Sequence, residues 1–297
     1  MNREETRGSR APPREDDGGP GRLPTVGAVV AVGSGKGGVG KSTVAACLAL
    51  AASAGGLEVG LLDADIYGPS LPELLGVENA TERAEMTEDR KIVPIEARGL
   101  PFVSFGFFLG EKSPAVWRGP LVAKAVEQVS RGVVWPELDL LIVDLPPGTG
   151  DTPLSLTGTV QVDAGVVVTT PQDLAVTEAR KAVEMFDALE VPVAGVIENM
   201  SYAACECGRR THPFGQGGGE RLAEETGTPL LGRVPFVSSR DRPAPGGEVA
   251  APPSELPEEA GSAFRTAARR LADRLSGRSA DGGPGTAARD DAPDDRT

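Results

Sequence analysis

The chain has 297 residues, of which 39% are hydrophobic and 25% are charged, and its formal net charge of −13 gives a pI near 4.7. This acidic balance excludes nonspecific binding to nucleic acid or to an anionic membrane, because both require a net basic surface. No apolar run approaches the length of a membrane span and the N-terminus lacks the apolar core of a secretory signal, so we expect a cytoplasmic protein. Three cysteines are too few for a disulfide framework, which leaves reduced thiols or metal ligands.

A single folded domain is expected between two polar tails. Residues 1–26 are charged and rich in proline and glycine, and we predict a disordered N-terminal tail there. Residues 276–297 have a similar composition with four aspartates among the last eight residues, which predicts a disordered acidic tail. Residues 27–275 then form one domain, because a chain of this length can bury one sizeable core.

A glycine-rich stretch lies between the apolar run Val26–Val32 and the alanine-rich segment Val44–Ala54, which predicts a strand, a loop and a helix. The loop fits the pattern G-x-x-x-x-G-K-[ST], in which backbone N–H groups surround phosphate oxygens, Lys41 reaches the β- and γ-phosphates, and Ser42 binds Mg²⁺. A glycine turn that merely contains a lysine is the alternative, but the flanking strand and helix favour a nucleotide, ATP. The predicted phosphate-binding residues are Gly35, Lys36, Gly37, Gly38, Val39, Gly40, Lys41, Ser42 and Thr43.

The same loop carries a second lysine, Lys36, which an ordinary phosphate loop does not require. With it, the motif G-K-G-G-V-G-K-S-T resembles the deviant phosphate-loop ATPases: the Min and Par positioning proteins, the nitrogenase iron protein and the iron–sulfur cluster carriers of the Mrp/ApbC type. The resemblance implies that Lys36 crosses a dimer interface and contacts the nucleotide of the partner. A solvated loop lysine is the alternative.

The next apolar run, Val59–Leu62, predicts a strand that ends in Asp63-Ala64-Asp65. Carboxylates at the carboxyl end of a strand lie where an open α/β sheet binds its ligands, and Asp65 is our candidate for orienting the attacking water. The alternative is that these aspartates only terminate the strand as turn residues.

Residues 76–98 are polar and irregular, with Ile92–Ile95 as a candidate strand of unknown role, and Leu100–Phe105 is predicted as a buried strand. A helix with Pro120 in its first turn is expected to run to about Ser130. The stretches D-A-D-I-Y-G-P-S and W-R-G-P, the latter at residues 117–120, look like signatures of the Mrp/ApbC carriers. Ordinary packing is the alternative explanation for Trp117.

The strongest buried strand is Leu138–Val143, and it ends at Asp144. An apolar strand that ends in aspartate is the Walker B arrangement, so Asp144 is predicted to bind Mg²⁺ directly or through water. The loop Pro146–Gly150 follows, and the N–H of a glycine there can detect the γ-phosphate.

Two more strands follow, Val166–Thr170 and Val193–Ile197, and they flank an amphipathic helix, Leu174–Leu189. The second strand leads to Asn199. In the related ATPases an asparagine at this strand end pairs with adenine, which the resemblance implies for Asn199, and a helix-capping role is the alternative.

Two close thiols, Cys205 and Cys207, favour a soft metal. The carriers usually have C-x-x-C here, and two such pairs from two subunits hold one [4Fe–4S] cluster, so the resemblance implies a cluster that bridges the dimer. This chain has C-x-C, one residue shorter, and zinc or no metal at all are the alternatives. Cys47, in the first helix, is interpreted as a buried structural thiol.

The last predicted elements are the strand Leu230–Val234 and the helix Glu258–Leu275. The prediction is one α/β domain, a doubly wound and mostly parallel sheet of the deviant Walker A (SIMIBI) type. The resemblance implies a homodimeric ATPase that receives iron–sulfur clusters from scaffold proteins and transfers them to apoproteins. The alternative is a Min/Par-like positioning ATPase without a cluster, although such a protein should end in a basic amphipathic helix.

Overall fold

A sheet of eight strands organises the chain, with helices on both faces. The computed structural model describes residues 20–77, 85–107, 126, 128, 131–204, 209–237 and 250–277. The strands of the sheet are β1 (Val26–Gly33), β2 (Val59–Asp63), β3 (Ile95–Ala97), β4 (Leu100–Ser104), β5 (Leu138–Asp144), β6 (Ala164–Thr169), β7 (Val193–Glu198) and β10 (Leu230–Arg233). The helices are α1 (Lys41–Ala54), α2 (Leu71–Leu74), α3 (Asp151–Thr159), α4 (Asp173–Ala188), α5 (Gly218–Thr226) and α6 (Glu258–Leu275). A separate hairpin joins β8 (Ala203–Ala204) to β9 (Arg210–Thr211).

The strand order is β10-β7-β6-β1-β5-β2-β4-β3, and every pairing is parallel except that of β3 with β4. The chain builds outward from β1 to β2 and β4, returns to insert β5 beside β1, and then continues on the other side with β6. The order therefore reverses at β1, and open α/β sheets bind ligands at the carboxyl ends of the strands at such a point. This arrangement confirms the predicted doubly wound, mostly parallel fold.

The central strands form because their sequences are continuous apolar runs, which suit strands that are covered on both faces. The register brings the ends of three strands together: Val32 of β1 lies opposite Asp144 of β5, and Asp144 lies opposite Asp63 of β2. The three loops that follow β1, β2 and β5 consequently start side by side.

Two apolar layers hold the helices to the sheet. On one face α1 packs with α6, and the buried side chains of α6 include Phe264 and Leu271. On the other face α4 packs its predicted stripe against the sheet, and Phe186 is fully buried there. In the described part of the chain, no helix has both the length and the apolar character that crossing a bilayer requires.

Some elements differ from the expectations. The candidate strand Ile92–Ile95 is instead β3 at Ile95–Ala97, and Ile92 makes only isolated bridges to Met86 and Val133. Pro94 has no N–H to contribute to a ladder, which explains the interruption. The helix α3 and the β8–β9 hairpin were not predicted, and the expected helix from Pro120 to Ser130 lies almost entirely outside the described residues.

The N-terminal approach to the sheet is packed before β1 begins. The Gly21 N–H donates to the Thr159 carbonyl, the Gln161 N–H donates to the Gly21 carbonyl, and the Leu23 side chain is buried. The boundaries proposed for the domain and its tails stay predictions.

The outer strand β10 has its open edge beside α6. Arg270 of α6 donates from Nη1 to the carbonyl oxygens of Leu230 and Leu231, each at 3.0 Å. The helix therefore hydrogen bonds the edge of the sheet in addition to covering one of its faces.

Phe186 fills the space left by two glycines in the neighbouring strands. A Cβ on Gly165 would lie 2.9 Å from the Phe186 ring, and one on Gly33 would lie 3.2 Å from it. We expect Phe186→Ala to lower the free energy of unfolding by about 3–5 kcal/mol, because it removes a fully buried ring that packs against two glycines and leaves a cavity. Urea titration measures this value.

The control is Phe236→Ala, which removes a ring that is 42% exposed and should cost about 1 kcal/mol or less. Equal losses in the two variants would contradict the assignment.

Candidate functional site

The glycine loop between β1 and α1 has a backbone that only glycine allows at several positions. A Cβ on Gly35 would lie 1.9 Å from the carbonyl oxygen of Glu178 in α4, so the loop touches that helix directly. Gly38 and Gly40 have φ values of 82° and 78°, in the left-handed region that other residues rarely adopt. The helix α1 begins immediately afterwards at Lys41, and its first N–H groups are therefore directed towards the loop.

Asn199 at the end of β7 is part of this loop structure. Its Nδ2 donates to the Val39 carbonyl at 2.9 Å, and a Cβ on Gly40 would lie 2.3 Å from the same nitrogen. The structure thus brings the predicted base-binding residue against the phosphate loop. Its contact with adenine stays a prediction.

Lys41 and Asp144 form a buried ion pair at the centre of the site. Lys41 Nζ lies 2.6 Å from Asp144 Oδ1 and 3.2 Å from Ser42 Oγ. The Lys41 side chain is 6% exposed and that of Asp144 is fully buried. The structure therefore brings together the three residues that the sequence assigned to the phosphates and to Mg²⁺.

The second carboxylate oxygen of Asp144 lacks a partner. Oδ2 is buried and accepts no hydrogen bond from the described residues. Burial raises the pKa of Asp144, and Asp65 raises it further, while Lys41 and Ser42 act in the opposite direction. An unpartnered buried carboxylate oxygen next to a serine hydroxyl is a donor set that suits Mg²⁺, so the residues fit this ion.

The two aspartates at the carboxyl end of β2, Asp63 and Asp65, have different partners. Asp65 is 7% exposed, and its Oδ1 accepts the N–H groups of Tyr67 and Gly68 at 3.1 Å each, so it also does the turn chemistry considered as the alternative. Asp63 is fully buried and accepts from Ser104 Oγ at 3.0 Å and from the Asp65 N–H at 3.1 Å. Asp63 therefore holds the backbone that carries Asp65.

The second loop lysine, Lys36, points to the start of α4. Its Nζ lies 3.5 Å from Oε1 of Gln172, the residue that precedes the helix. The contact is exposed, so it holds the ammonium group only loosely. The predicted contact of Lys36 with the nucleotide of a partner subunit stays a prediction.

The cysteine pair lies outside the described residues, as do Trp117 and Arg118 of the W-R-G-P stretch. The described residues on either side of the pair form the hairpin: Ala203 pairs with Thr211, and Ala204 pairs with Arg210. Cys205 and Cys207 therefore belong to the segment that connects β8 to β9. Across the described ranges, no three His, Cys, Asp or Glu side chains are grouped to hold a metal ion.

The sequence analysis missed Glu198, the last residue of β7. Its buried carboxylate accepts the Ser201 hydroxyl through Oε1, and its Oε2 accepts the Gly219 N–H at the start of α5 at 2.5 Å. Glu198 thereby fixes the segment that contains Asn199 and leads to the hairpin. The available signal was a carboxylate at the carboxyl end of a strand, the criterion that was applied to Asp65 and Asp144.

A second missed contact joins two loops of the site. The Gly148 N–H donates to the Ser34 carbonyl at 2.8 Å, and Gly148 has a φ of 88°. The loop after β5 is therefore bonded to the phosphate loop through its backbone.

The burial of Asp63 predicts a pH dependence of stability. Burial, followed by repulsion from Asp144, raises its pKa from 3.8 to about 7, while bonds from Asp65 and Ser104 oppose the rise. Between pH 4 and pH 7 the folded state keeps a proton that the unfolded state releases. The free energy of unfolding therefore falls as the pH rises, by up to about 1.4 kcal/mol per pH unit from this group.

We expect Asp63→Asn to make the slope of unfolding free energy against pH less negative between pH 4 and pH 7. Urea titrations at several pH values measure the slope. Asp139→Asn, at an exposed carboxylate that accepts the Glu58 N–H, is the control and should keep the wild-type slope. Parallel curves for Asp63→Asn and wild type would show that Asp63 is ionised throughout this range.

Comparison with known proteins identifies the family of this chain. The family model described as ParA: NUBPL iron-transfer P-loop NTPase matches residues 25–272. An iron–sulfur cluster carrier protein of Escherichia coli K12 is 45% identical over 252 residues, which are 84% of this chain and 66% of that protein, so the chain spans just under two thirds of that relative. One from Deinococcus radiodurans is 48% identical over 257 residues, 86% of this chain and 71% of that protein.

Solved structures give the same fold. A nucleotide-binding protein from Archaeoglobus fulgidus in complex with ADP, in which Co was found, is 34% identical with a TM-score of 0.64, covering 83% of this chain and 90% of that one. The septum site-determining protein MinD of Pyrococcus horikoshii, complexed with Mg-ADP, is 23% identical with a TM-score of 0.58, covering 84% of this chain and 97% of that one. This second likeness shows the fold alone. The chain belongs to the NUBPL iron-transfer family of P-loop NTPases, which confirms the resemblance to the iron–sulfur cluster carriers.

Proposed function

We propose that this chain is a cytoplasmic, homodimeric ATPase that receives an iron–sulfur cluster from scaffold proteins and transfers it to apoproteins. The observation that carries the proposal is the buried contact between Lys41 and Asp144, with an unpartnered carboxylate oxygen beside Ser42. Membership of the iron-transfer family supports an iron–sulfur cluster as the cargo. The relatives named as cluster carriers support the same assignment.

The phosphate loop is proposed to bind ATP. The N–H groups of the glycine loop and of the first turn of α1 surround the phosphates, and Lys41 neutralises the β- and γ-phosphates. Ser42 and Asp144 would hold Mg²⁺, which supplies charge neutralisation to the phosphate oxygens. Lys41 and Asp144 lie in contact here, so ATP binding requires each of them to exchange this partner for a ligand group.

Hydrolysis is proposed to use Asp65. Its Oδ1 is engaged by two backbone N–H groups, and we assign Oδ2 to the attacking water. The water oxygen forms a bond to the γ-phosphorus as the bond to the β–γ bridging oxygen breaks, which yields ADP and phosphate. One proton of the water stays on the new P–OH group and the other passes to a phosphate oxygen, so both leave with the phosphate. Asp63 contributes indirectly, because it fixes the turn that orients Asp65.

The homodimer is proposed to form across the carboxyl edge of the sheet. Three exposed apolar side chains follow the loops of the site: Tyr67 is 67% exposed, Leu154 is 57% exposed and Leu174 is 65% exposed. A second copy that covers these side chains would bury apolar surface at the mouth of the nucleotide site. Lys36 lies beside α4 at the same edge, where it could reach a nucleotide in the partner.

Nucleotide state is proposed to reach the cysteines through residues 198–204. Asn199 contacts the phosphate loop at Val39, and the chain enters the β8–β9 hairpin at Ala203. Met200, within this segment, has a φ of 55°, an uncommon value for a residue with a side chain. A segment under this constraint, bonded at one end to the phosphate loop, can transmit a change in that loop.

The roles of Lys36 and Asp65 can be tested by mixing subunits. Lys36→Ala and Asp65→Ala should each abolish ATP turnover as pure dimers. A mixed dimer has one complete site, with Asp65 from one subunit and Lys36 from the other. Random mixing makes half of the dimers mixed, so we expect about a quarter of the wild-type turnover.

Phosphate release measures the turnover, and native mass spectrometry of the mixture measures the share of mixed dimers. Mixing Lys36→Ala with Lys181→Ala, which alters a surface lysine of α4, is the control and should keep about half of the wild-type turnover. Formation of mixed dimers without any recovered turnover would rule out action of Lys36 across the interface.

The cargo can be tested by comparing the three cysteines. Four thiolates from two subunits would hold one [4Fe–4S] cluster as substrate, so reconstituted wild type should absorb near about 400 nm with about two irons per monomer. Cys205→Ala and Cys207→Ala should each lose this absorbance. Cys47→Ala is the matched control and should keep it, because burial raises the pKa of Cys47 to about 11 and leaves a thiol that is a poor ligand.

Colourless wild-type protein that contains zinc would contradict the cluster proposal and leave the ATPase intact. Retention of the cluster in both Cys205→Ala and Cys207→Ala would show that the cluster is bound elsewhere on the chain. The Min/Par-like alternative predicts ATP turnover with no cluster bound under any of these conditions.

A further inference from the structure

The peptide unit between Val39 and Gly40 is free to take more than one orientation within the phosphate loop. A peptide unit is planar, so it turns as one body when the ψ of Val39 and the φ of Gly40 change together. Gly40 has a φ of 78°, and glycine adopts negative φ values about as readily as positive ones. Gly40 itself therefore does not select the orientation that the structure shows.

The orientation of this peptide unit matters for the binding of phosphates. In a trans peptide the carbonyl and the N–H point in opposite directions, and the described part of the chain contains no cis peptide bond. The Val39 carbonyl faces Asn199, so the Gly40 N–H points away from it. Backbone N–H groups of such a loop bind phosphate oxygens. A reversed peptide unit would present a carbonyl oxygen where the Gly40 N–H now lies, and that oxygen repels an anion.

The side chain of Asn199 selects one of the two orientations. Its Nδ2 donates to the Val39 carbonyl at 2.9 Å, and the bond is buried. The amide also packs directly on the loop backbone, because a Cβ on Gly40 would lie 2.3 Å from the same nitrogen. Turning the buried carbonyl away from the amide would cost it this hydrogen bond, and the observed orientation is favoured for that reason.

Asn199 is itself held by the neighbouring strands. Its N–H donates to the Thr169 carbonyl, at the end of β6, at 2.8 Å. The Val234 N–H donates to the Glu198 carbonyl at 2.8 Å, and the Ser201 N–H donates to the Val234 carbonyl at 2.9 Å. The amide that holds the loop is therefore attached to the ends of β6, β7 and β10.

We propose that Asn199 is a positioning residue of the phosphate loop, whose amide holds the Val39–Gly40 peptide unit in the orientation that directs the Gly40 N–H to the phosphates. Asn199 then sets the affinity of the site for a diphosphate or triphosphate group, whether or not a base is attached to it. This role is distinct from the adenine contact that the family resemblance implies. The inference rests on the proposed function for one point, that this loop binds the phosphates of a nucleotide.

The test compares two ligands, Mg-ADP and Mg-pyrophosphate, which share a diphosphate group and of which only the first has a base. Calorimetry measures the affinity of each. Asn199→Ala removes the amide, and Asn199→Ser is a second variant that keeps a polar but shorter side chain. Thr169→Val is the control, because it removes a buried hydroxyl at the end of β6 that donates to the Thr170 carbonyl. The thermal unfolding midpoint shows that each variant is folded.

We expect both Asn199 variants to weaken pyrophosphate binding by about five- to thirtyfold, the effect of losing one partner of a buried hydrogen bond. ADP binding should weaken by at least the same factor, and Thr169→Val should bind both ligands as wild type does. An unchanged affinity for pyrophosphate in the folded Asn199 variants would overturn the proposal, whatever happens to ADP, since a residue that contacts only the base has that effect.

A second measurement follows the peptide unit in ligand-free protein. The nuclear Overhauser effect between the α proton of Val39 and the N–H of Gly40 reports the ψ of Val39, which changes when the peptide unit turns. We expect Asn199→Ala to change its intensity and Thr169→Val to preserve it. An intensity that is the same in Asn199→Ala and wild type would contradict the proposal.

Failure of the proposed function has a different signature. Wild-type protein that binds neither Mg-ADP nor Mg-pyrophosphate would count against the assignment of the phosphate loop. The measurement on ligand-free protein would still decide whether Asn199 holds the Val39–Gly40 peptide unit.

Discussion

Lys41 is the first residue of α1 and Asp144 is the last residue of β5, and their ion pair is buried where β1 and β5 end side by side. Removing both groups from water is costly, and the attraction between them offsets that cost only at the short distance observed here. Breaking such a pair from one side leaves an uncompensated buried charge, at a cost of about 3–5 kcal/mol. The order of the strands and the pairing of Val32 with Asp144 are the conditions that keep the two groups in contact.

The pair also links folding to the proposed chemistry. A lysine that is held by a carboxylate is already desolvated, so a phosphate group that replaces the carboxylate finds a cation that has lost its water. The unpartnered Asp144 oxygen is likewise already out of water before a metal ion binds to it. Much of the reorganisation that nucleotide binding would otherwise require has therefore occurred during folding.

The sequence predicted the fold well because the central strands are apolar on both faces and the helix stripes have a clear period. The phosphate loop was recognised because its constraints are local: Gly35 and Gly40 are required by a close approach or a left-handed backbone within a few residues of Lys41. The prediction was wrong at residues 92–95, where Pro94 interrupts the pairing that apolar character suggested. The helix α3 went unrecognised because it contains Pro153 and Gly158, which are poor helix formers.

Contacts between distant parts of the chain could not be found from local patterns. Glu198 bonds the start of α5, 21 residues further along the chain, and Arg210 pairs with Glu259, which is 49 residues away. Neither partner has a sequence feature that identifies the other. Lys36 is a different case. Its proposed partner lies in a second molecule, and the structure of a single chain does not contain that contact.

Arg270 has a consequence for the sheet as a whole. The outer edge of β10 presents backbone groups on which a strand from another molecule could pair, as happens when sheets associate edge to edge. The guanidinium of Arg270 engages the carbonyl oxygens of two consecutive residues of this strand and puts a positive charge beside it. A charge bonded to an edge strand disfavours the approach of a strand from another molecule, so the helix that completes the core also protects this edge of the sheet.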